Sequence, residues 1–319
     1  MTNRPPTQSA GRWAGLALAA VALATAAAWL APAGWPFELF SHFRMHLAVA
    51  SALLVPALLV FGRWRAAGIA AGIAALPLLS TGPALRAAEP DPACAGESLV
   101  VVTANLDIDN DEHARFIEWL AGHPADVVVL QEVNAAWARD LAAIRGYPYR
   151  RVIVREDPYG IAVLSRRPVA GFETLDLARD GLPALAGDLE IGAAHLRLLG
   201  VHTLWPITPG LAARRDRALM KVAAIARATP GPLVAAGDLN LTPDSPVWPR
   251  LLADSHLRDV FAGRAGWHPT WRAGFWPLAL RIDHVLVSRG VCVERPEVGP
   301  EIGSDHRPVV VRLRVAGAA

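Results

Sequence analysis

The sequence predicts an α/β fold of two packed mixed sheets with helices outside them, preceded by three apolar helices. After residue 96, apolar β-branched runs alternate with amphipathic stretches, which is typical of α/β domains. Residues 149–202 are rich in strands and contain no predicted helix, which argues against a single doubly wound sheet. Charged residues are sparse before residue 87 and common after it, so the chain divides into two parts there.

The first part, residues 1–86, has the composition of a membrane anchor. It carries six arginines, no lysine and one acidic residue, Glu38, for a net charge of +5. Because about 20 apolar residues cross the hydrocarbon core, the uncharged runs at 13–32, 45–61 and 66–85 predict three transmembrane helices. The alternative is a cleaved signal peptide followed by buried helices, which fits three successive runs less well.

Arginines beside these runs predict the orientation of the anchor. Arg4 and Arg12 precede the first run, and Arg63 and Arg65 lie between the second and the third. Positively charged loops stay in the cytoplasm. The sequence therefore predicts a multi-pass protein of the cell membrane, with a linker at 87–96 and an extracytoplasmic domain after it.

The two cysteines, Cys94 and Cys292, form no CxxC pair, so a thiolate zinc site is not expected. In an oxidising compartment the two can form a disulfide bond. The alternative is that both are small buried side chains.

The second part is a predicted domain at 97–315, and residues 87–319 carry 25 basic and 28 acidic side chains, a net charge of −3. Apolar runs predict strands, and wider apolar spacing predicts helices. The predicted strands are 98–104, 125–130, 161–165, 169–177, 185–191, 196–202, 233–236, 281–288 and 308–315. The predicted helices are 111–122, 135–144 and 210–228.

Polar side chains follow the apolar strands at six places. A strand is rigid and its end opens to a cleft, so such positions suit a functional site. Each residue alone has an ordinary explanation as a helix cap, a turn former or a structural histidine, but their joint occurrence favours a site. They are Asn105 in TANLD, Glu132 in LQEV, His202 in VHT, Asp238 and Asn240 in GDLN, Asp283 in RIDHV, and Asp305 and His306 in SDHRP.

These motifs resemble those of the endonuclease/exonuclease/phosphatase superfamily over about residues 98–314. The resemblance is carried by QE after one apolar strand, GDLN after another and a terminal SDHRP, and YGIAVLSRRP at 159–168 adds to it. It implies a four-layer α/β sandwich, two mixed sheets flanked by helices, and a divalent-metal-dependent phosphoester hydrolase. In architecture the chain also resembles membrane-anchored members of the superfamily, such as teicoplanin-resistance proteins.

The expected cofactor is Mg²⁺ (or Mn²⁺). Such hard cations prefer oxygen ligands and keep several waters, so one or two carboxylates suffice. Glu132 is the first predicted metal ligand, and the resemblance agrees. Asn105 would add an amide oxygen, Asp305 would bind directly or through water, and Asp107 would supply a further carboxylate behind them.

Phosphoester hydrolysis needs an in-line water and stabilisation of charge on the phosphoryl and leaving oxygens. Asp238 is expected to orient or deprotonate the water, as the resemblance implies. Asn240 and His202 are expected to donate to phosphoryl oxygens, with His202 alternatively protonating the leaving oxygen. The resemblance also implies that His306 faces the phosphate, with Asp283 orienting its ring as a carboxylate–histidine pair. The sequence leaves open which carboxylate is the base.

A lipid-linked phosphate or pyrophosphate is the favoured substrate. Trp267, Trp271, Phe275 and Trp276 crowd into one stretch before Asp283, and aromatic side chains near an anchor suit the bilayer interface. The alternative explanation for any one of these side chains is ordinary core packing.

Two alternatives to a lipid phosphoesterase stay open. A DNase-like nuclease is expected to have a basic surface, whereas this domain is mildly acidic, has one lysine and offers only the cluster Arg214, Arg215 and Arg217. A non-catalytic binding module on the same fold would lack catalytic side chains, but the residues of all six motifs are present.

Overall fold

This computed structural model describes residues 6–81, 96–264 and 266–316, which belong to two units. The helical unit contains Met1–Ala87 and Pro243–Pro246, and the catalytic unit contains Ala88–Thr242 and Val247–Ala319. The predicted linker at 87–96 lies outside the described residues except for Gly96, which begins the first strand. Cys94 also lies outside them, so its disulfide bond with Cys292 stays a prediction.

The helical unit is built from apolar helices with small side chains between them. Leu18, Leu58, Ala67 and Ala70 form its buried cluster, and alanines there let the helix backbones approach closely. Its helices are α1 (Pro6–Trp29), α2 (Phe37–Ser41), α3 (Arg44–Val60) and α4 (Trp64–Thr81).

The prediction of three membrane spans is wrong in number. Among the described residues one helix, Ser9–Trp29, is long and apolar enough to cross a membrane, and a helix of this kind near the amino terminus is also typical of a signal sequence. The second run forms Arg44–Val60, whose 17 residues rise only about 26 Å, short of the hydrocarbon thickness. The third run contributes to Trp64–Thr81, and no candidate span is found there among the described residues; positions 82–85 of the run lie outside them.

Four residues from late in the chain, Pro243–Pro246, belong to the helical unit, where one of them makes a buried polar contact. The Ser245 hydroxyl donates to Glu38 Oε1 at 2.6 Å. Glu38 is 3% exposed, and a buried carboxylate needs such a donor.

The described residues of the catalytic unit form two six-stranded mixed sheets. The strands of the first sheet are β1 (Gly96–Asn105), β2 (Val127–Gln131), β3 (Tyr149–Ile153), β4 (Ile161–Ser165), β11 (Val291–Val298) and β12 (Val309–Ala316). Those of the second are β5 (Val169–Asp176), β6 (Pro183–Ile191), β7 (Ala194–His202), β8 (Leu233–Asp238), β9 (Arg258–Asp259) and β10 (Asp283–Val287). The first sheet has the order β11-β12-β1-β2-β4-β3, and the second has the order β5-β6-β7-β8-β10-β9.

Two parallel pairs, β1 with β2 and β7 with β8, lie inside otherwise antiparallel sheets. Asn105 at the end of β1 pairs with Gln131, and His202 at the end of β7 pairs with Asp238. Since parallel strands end at the same edge of a sheet, polar residues after each pair are brought together.

Three apolar clusters divide the unit into four layers. The central cluster joins the inner faces of both sheets, with Leu99 and Val129 on one side and Leu198 and Val285 on the other. The outer face of the first sheet packs on α5 (His113–Gly122) and α6 (Ala135–Ala143), and that of the second on α7 (Pro209–Ala228) and α8 (Val247–Ser255). The predicted α/β fold, with two mixed sheets flanked by helices, is therefore confirmed.

The main strands that the sequence analysis missed lie at sheet edges. β3 (YRRVI) and β11 (VCVERPEV) are the two outer strands of the first sheet and carry charged residues, and β11 also contains Pro296. Edge strands are commonly interrupted by charge and proline, so they lack the continuous apolar run of a buried strand. The two-residue strand β9 and the helix α8 were also not predicted.

Candidate active site

Polar side chains from both sheets meet at one end of the strands. The register aligns three of them directly on the second sheet, because Asp238 pairs with His202 on β7 and with Asp283 on β10. Asn105 ends β1, and Glu132 follows β2 directly. All five are buried, from 0% exposed for Asp283 to 6% for Glu132.

Asn105 connects the two sheets. Its Nδ2 donates to Glu132 Oε1 at 2.8 Å and to Asp238 Oδ2 at 3.2 Å, while its Oδ1 accepts from the Asp107 amide at 3.0 Å. The amide nitrogen therefore faces the carboxylates and the oxygen is occupied by the backbone. In this arrangement the Asn105 amide bridges the two carboxylates, and its role as an oxygen ligand of a metal stays a prediction.

Glu132 lies in a strained part of the chain. Its φ is +62°, a left-handed conformation that non-glycine residues adopt rarely and that clusters at functional sites. Oε2 accepts from the Ile108 amide at 3.0 Å, and Oε1 accepts from Asn105. Burial raises the pKa of Glu132, so this carboxylate lies where a cation would stabilise its charge.

The donor chemistry around Glu132 fits the predicted divalent cation. Burial and the neighbouring charge of Asp305 raise the pKa of Asp107, and the charge of Asp107 in turn raises that of Glu132. Among the described residues no basic side chain is hydrogen-bonded to Glu132 or Asp107. A group of oxygen donors with excess negative charge is the environment that Mg²⁺ or Mn²⁺ prefers.

Asp305 lies at the rim of this group and is partly open to solvent. Its Oδ2 accepts from Trp271 Nε1 at 2.8 Å, and Oδ1 lies 3.7 Å from His306 Nε2. The side chain is 45% exposed, which leaves room for a water-mediated contact with a cation.

His306 and Asp283 form the predicted pair. His306 Nδ1 lies 2.8 Å from Asp283 Oδ2, and His306 Nε2 lies 3.8 Å from Asp238 Oδ2. Burial lowers the pKa of His306, but the charges of Asp283 and Asp238 outweigh it and raise that pKa to about 10. The imidazolium therefore keeps a proton on Nε2 at neutral pH.

Asp238 lies at the centre of the cluster. Burial and the charge of Asp283 raise its pKa to about 8. Asp238, Asp283 and His306 each offer an atom within 4.8 Å of the others, a spacing that could hold a cation. Since Asp283 is already paired with His306, the Glu132 group suits a metal better than these three residues do.

His202 is neutral in this setting. Burial and the charge of His306 lower its pKa to about 3, and its Nε2 lies 3.6 Å from Asp238 Oδ2. Among the described groups neither ring nitrogen has a partner in good hydrogen-bond geometry, although the Pro158 carbonyl lies close enough to favour the protonated ring. A buried imidazole with open nitrogens is suited to bind a ligand oxygen.

The GDLN turn is shaped by its backbone. A Cβ on Gly237 would lie 1.8 Å from the Val201 carbonyl oxygen, which explains the glycine before Asp238. Asn240 has a φ of +47°; its amide donates to Asp238 Oδ1 at 2.9 Å and its Nδ2 donates to the Thr203 carbonyl at 2.8 Å.

The buried side chain of Arg215 on α7 contacts the backbone of this turn. It is 0% exposed, contacts the Asn240 carbonyl through Nη1 at 3.3 Å and pairs with Asp216 at 2.6 Å. Arg214 pairs with Asp180 at 3.1 Å. The arginine cluster that a nuclease could use to bind DNA phosphates is therefore partly engaged in contacts within the protein.

Replacing Arg215 by methionine should lower the free energy of unfolding by about 2 kcal/mol, because it leaves the Asn240 carbonyl without its donor. Thermal unfolding of the full chain in detergent measures this. Arg217→Met, two residues away on the exposed side of α7, is the matched control and should change little. Equal effects of the two variants would contradict the supporting role.

Tyr159 is a site residue that sequence analysis did not identify. Its ring centroid lies 5.2 Å from that of His202, and it is half-buried. Burial and the charges of Glu132 and Asp157 raise its pKa to about 12, so the hydroxyl stays protonated. The available signal was its position: Tyr159 comes just before β4, whose first residue Ile161 pairs with Gln131 beside Glu132.

Tyr159→Phe should lower kcat by about tenfold with little change in KM, because the ring lies beside His202 and the protonated hydroxyl can donate to a phosphoryl oxygen as charge develops on it. Steady-state kinetics with Mg²⁺ and a phosphoester measures both constants. Tyr149→Phe on the edge strand β3 is the control. An unchanged kcat would remove Tyr159 from the site.

Comparison with known proteins finds one family of similar sequence. A sequence model of the endonuclease/exonuclease/phosphatase family matches residues 102–306. No curated protein matches the chain significantly.

Solved structures share the fold of the catalytic unit. A family protein from Bacteroides vulgatus has 19% identity and a TM-score of 0.60, over 69% of this chain and 99% of that one. TDP2 from D. rerio, complexed with a single-strand DNA product, has 18% identity and a TM-score of 0.56, over 69% and 100%. Sphingomyelinase C from Streptomyces griseocarneus has 23% identity and a TM-score of 0.53, over 68% and 99%. At these identities the likeness shows the fold.

Proposed function

Because the chain belongs to the endonuclease/exonuclease/phosphatase family, we propose that it is a membrane-anchored, divalent-metal-dependent hydrolase of a lipid-linked phosphate or pyrophosphate. Hydrolysis of a phosphoester is the reaction class of the family. The observation that carries the finer proposal is that one chain joins this buried cluster of acids and histidines to Ser9–Trp29, a helix apolar enough to cross a membrane.

The proposed cation site is Glu132, with Asp107 and Asp305 beside it and Asn105 holding the carboxylates in place. When bound, Mg²⁺ or Mn²⁺ neutralises phosphoryl charge and orients the substrate. The residues around it account for the rest of the chemistry.

Asp238 is the proposed group that orients and deprotonates the attacking water. A base works best when its pKa lies near the working pH, and the pKa of about 8 satisfies this. His306, protonated and held by Asp283, donates Nε2–H to a phosphoryl oxygen. His202 is neutral, so it suits donation to an oxygen better than transfer of a proton to the leaving group.

A nuclease is the second candidate, because TDP2 with bound single-strand DNA has the same fold. Against it, the catalytic unit has one lysine and a mildly acidic balance, and Arg214 and Arg215 are engaged in internal contacts. A non-catalytic module is disfavoured by the assembled cluster itself.

A substrate screen on the full chain in detergent tests the proposal. Long-chain lipid phosphates and pyrophosphates, water-soluble nitrophenyl monoesters and diesters, and single- and double-stranded DNA are incubated with Mg²⁺, with and without EDTA. Hydrolysis of the lipid substrates that EDTA abolishes is expected. Activity on DNA alone would overturn the lipid proposal, and the absence of EDTA-sensitive hydrolysis of any phosphoester would overturn the enzyme assignment.

The outer face of the membrane is the proposed location of the catalytic unit. Arg4 precedes the apolar helix Ser9–Trp29 and Arg12 lies in its first turn, and positive charge at the start of a first span favours a cytoplasmic amino terminus. Protease added to intact cells should then cut the catalytic unit. Protection of the unit until the cells are lysed would place it inside.

A further inference from the structure

Two loops at the catalytic end of the strands carry most of the exposed large apolar side chains of the catalytic unit. The first, residues 203–208, follows β7, and the second, residues 262–281, precedes β10. Of the seven large apolar side chains that are exposed among its described residues, five lie on these loops, although most apolar side chains elsewhere in the unit are buried. We call these five the apolar rim: Trp205 (44% exposed), Ile207 (61%), Trp267 (37%), Phe275 (49%) and Leu278 (40%).

Both loops are held by hydrogen bonds to catalytic residues. In the first, the Thr203 amide donates to the Asp238 carbonyl at 3.1 Å. In the second, Thr270 Oγ1 accepts from the Asp283 amide at 3.1 Å, and the Ala273 amide donates to the Asp305 carbonyl at 2.7 Å. The rim is therefore built onto the rigid end of the site, and exposing it costs hydrophobic free energy that a partner would recover.

The second loop is also positively charged. Residues 262–281 contain three arginines and no acidic residue, in a unit whose overall balance is negative. Arg281 is paired with Asp259 at 2.7 Å, so Arg264 and Arg272 carry the net positive charge of the loop. Arg264 and Arg272 are exposed, and the Arg272 guanidinium lies 5.7 Å from the Trp271 ring centroid. Aromatic side chains beside arginine complement an anionic bilayer surface, where rings sit at headgroup level and cations meet lipid phosphates.

We propose that the apolar rim and Arg272 dock on an anionic phospholipid bilayer, so that the site reaches a phosphoester whose lipid tail stays in the membrane. This rests on the proposed function and names the surface that would serve it. Single-stranded nucleic acid also stacks on aromatic side chains, but the acidic unit and the apolar helix on the same chain favour lipid.

The first test needs no catalysis. The full chain is labelled with 5-fluorotryptophan and studied by ¹⁹F NMR with vesicles of phosphatidylcholine and phosphatidylglycerol that contain a spin-labelled lipid. The Trp205 resonance, identified by its loss in Trp205→Phe, should broaden, while that of Trp137, which is 0% exposed, should not. A Trp205 resonance that stays sharp in the presence of the vesicles would overturn the proposal. If single-stranded DNA shifted that resonance instead, the loops would be a surface for nucleic acid.

The second test separates docking from chemistry. The double variant Trp205→Ser with Phe275→Ser should lose about tenfold or more in kcat/KM on a lipid phosphoester embedded in the same vesicles, as expected for two interfacial aromatic side chains. Its rate on a water-soluble nitrophenyl diester should stay unchanged, because neither residue belongs to the catalytic cluster.

Tyr149→Ser is the matched control for the second test. Tyr149 is 38% exposed on the edge strand β3 and pairs with Ser165, at the end of β4 away from the site. Equal rates of wild type and double variant on the embedded substrate would overturn the docking surface. A complete lack of hydrolysis of both substrates by wild type would instead overturn the proposed function, while the NMR result would still decide the rim.

Discussion

Asp238→Asn should lower kcat for phosphoester hydrolysis by about 10³-fold, the usual contribution of a positioned general base. The asparagine keeps the shape and can still accept from the Asn240 amide, but it cannot take a proton from water. It also removes a negative charge that helps to raise the pKa of His306. Single-turnover rates with saturating Mg²⁺ measure the loss on the chemical step.

Asp254→Asn is the control for that variant, because its side chain lies at the surface of α8, 3.5 Å from Arg250. The control should keep its full rate. Thermal unfolding of both variants checks that the fold is intact. If Asp238→Asn retained more than about a tenth of the rate, less than the usual effect of a general base, the water would have to be activated elsewhere in the cluster.

Glu132→Gln should abolish metal-stimulated hydrolysis at ordinary Mg²⁺ concentrations and raise the concentration needed for half activity by more than about 100-fold. Glutamine fills the same space but lacks the charge, and its amide nitrogen meets a donor at Asn105 or at the Ile108 amide. Titration with Mn²⁺ followed by electron paramagnetic resonance measures cation binding without turnover.

Glu97→Gln provides the comparison, since Glu97 lies near the start of β1, at the end away from Asn105. It should bind Mn²⁺ as wild type does. Unchanged Mn²⁺ binding by Glu132→Gln would instead favour the group formed by Asp238, Asp283 and His306 as the metal centre.

The sequence could indicate which polar residues lie near one another because strand ends can be located from local patterns. Asp238 and Asp283 follow or begin apolar runs, and the sheet register then places them side by side. The orientation of the Asn105 amide could not be predicted in this way, because it depends on two carboxylates 27 and 133 residues away in the chain. Tyr159 was missed for the same reason, since only folding brings its ring beside His202.

Hydropathy predicted the helices of the first unit better than their relation to a membrane. The run predicted at 45–61 forms α3, Arg44–Val60, which ends before Gly62 at a φ of +69° and Arg63. Its 17 residues are fewer than the about 20 that cross the hydrocarbon core, so an uncharged run of this length locates a helix without showing that the helix crosses a bilayer.

The first sheet cannot be completed until β12 has left the ribosome. Its central strand β1 lies between β2 and β12, with Gly96 paired to Ala316 and Thr103 paired to Val309. Such distant pairings form late in folding. Since Asn105 at the end of β1 links Glu132 of this sheet to Asp238 of the other, a nascent chain should be unable to hydrolyse anything. Hydrolysis would begin only when β12 has closed the first sheet.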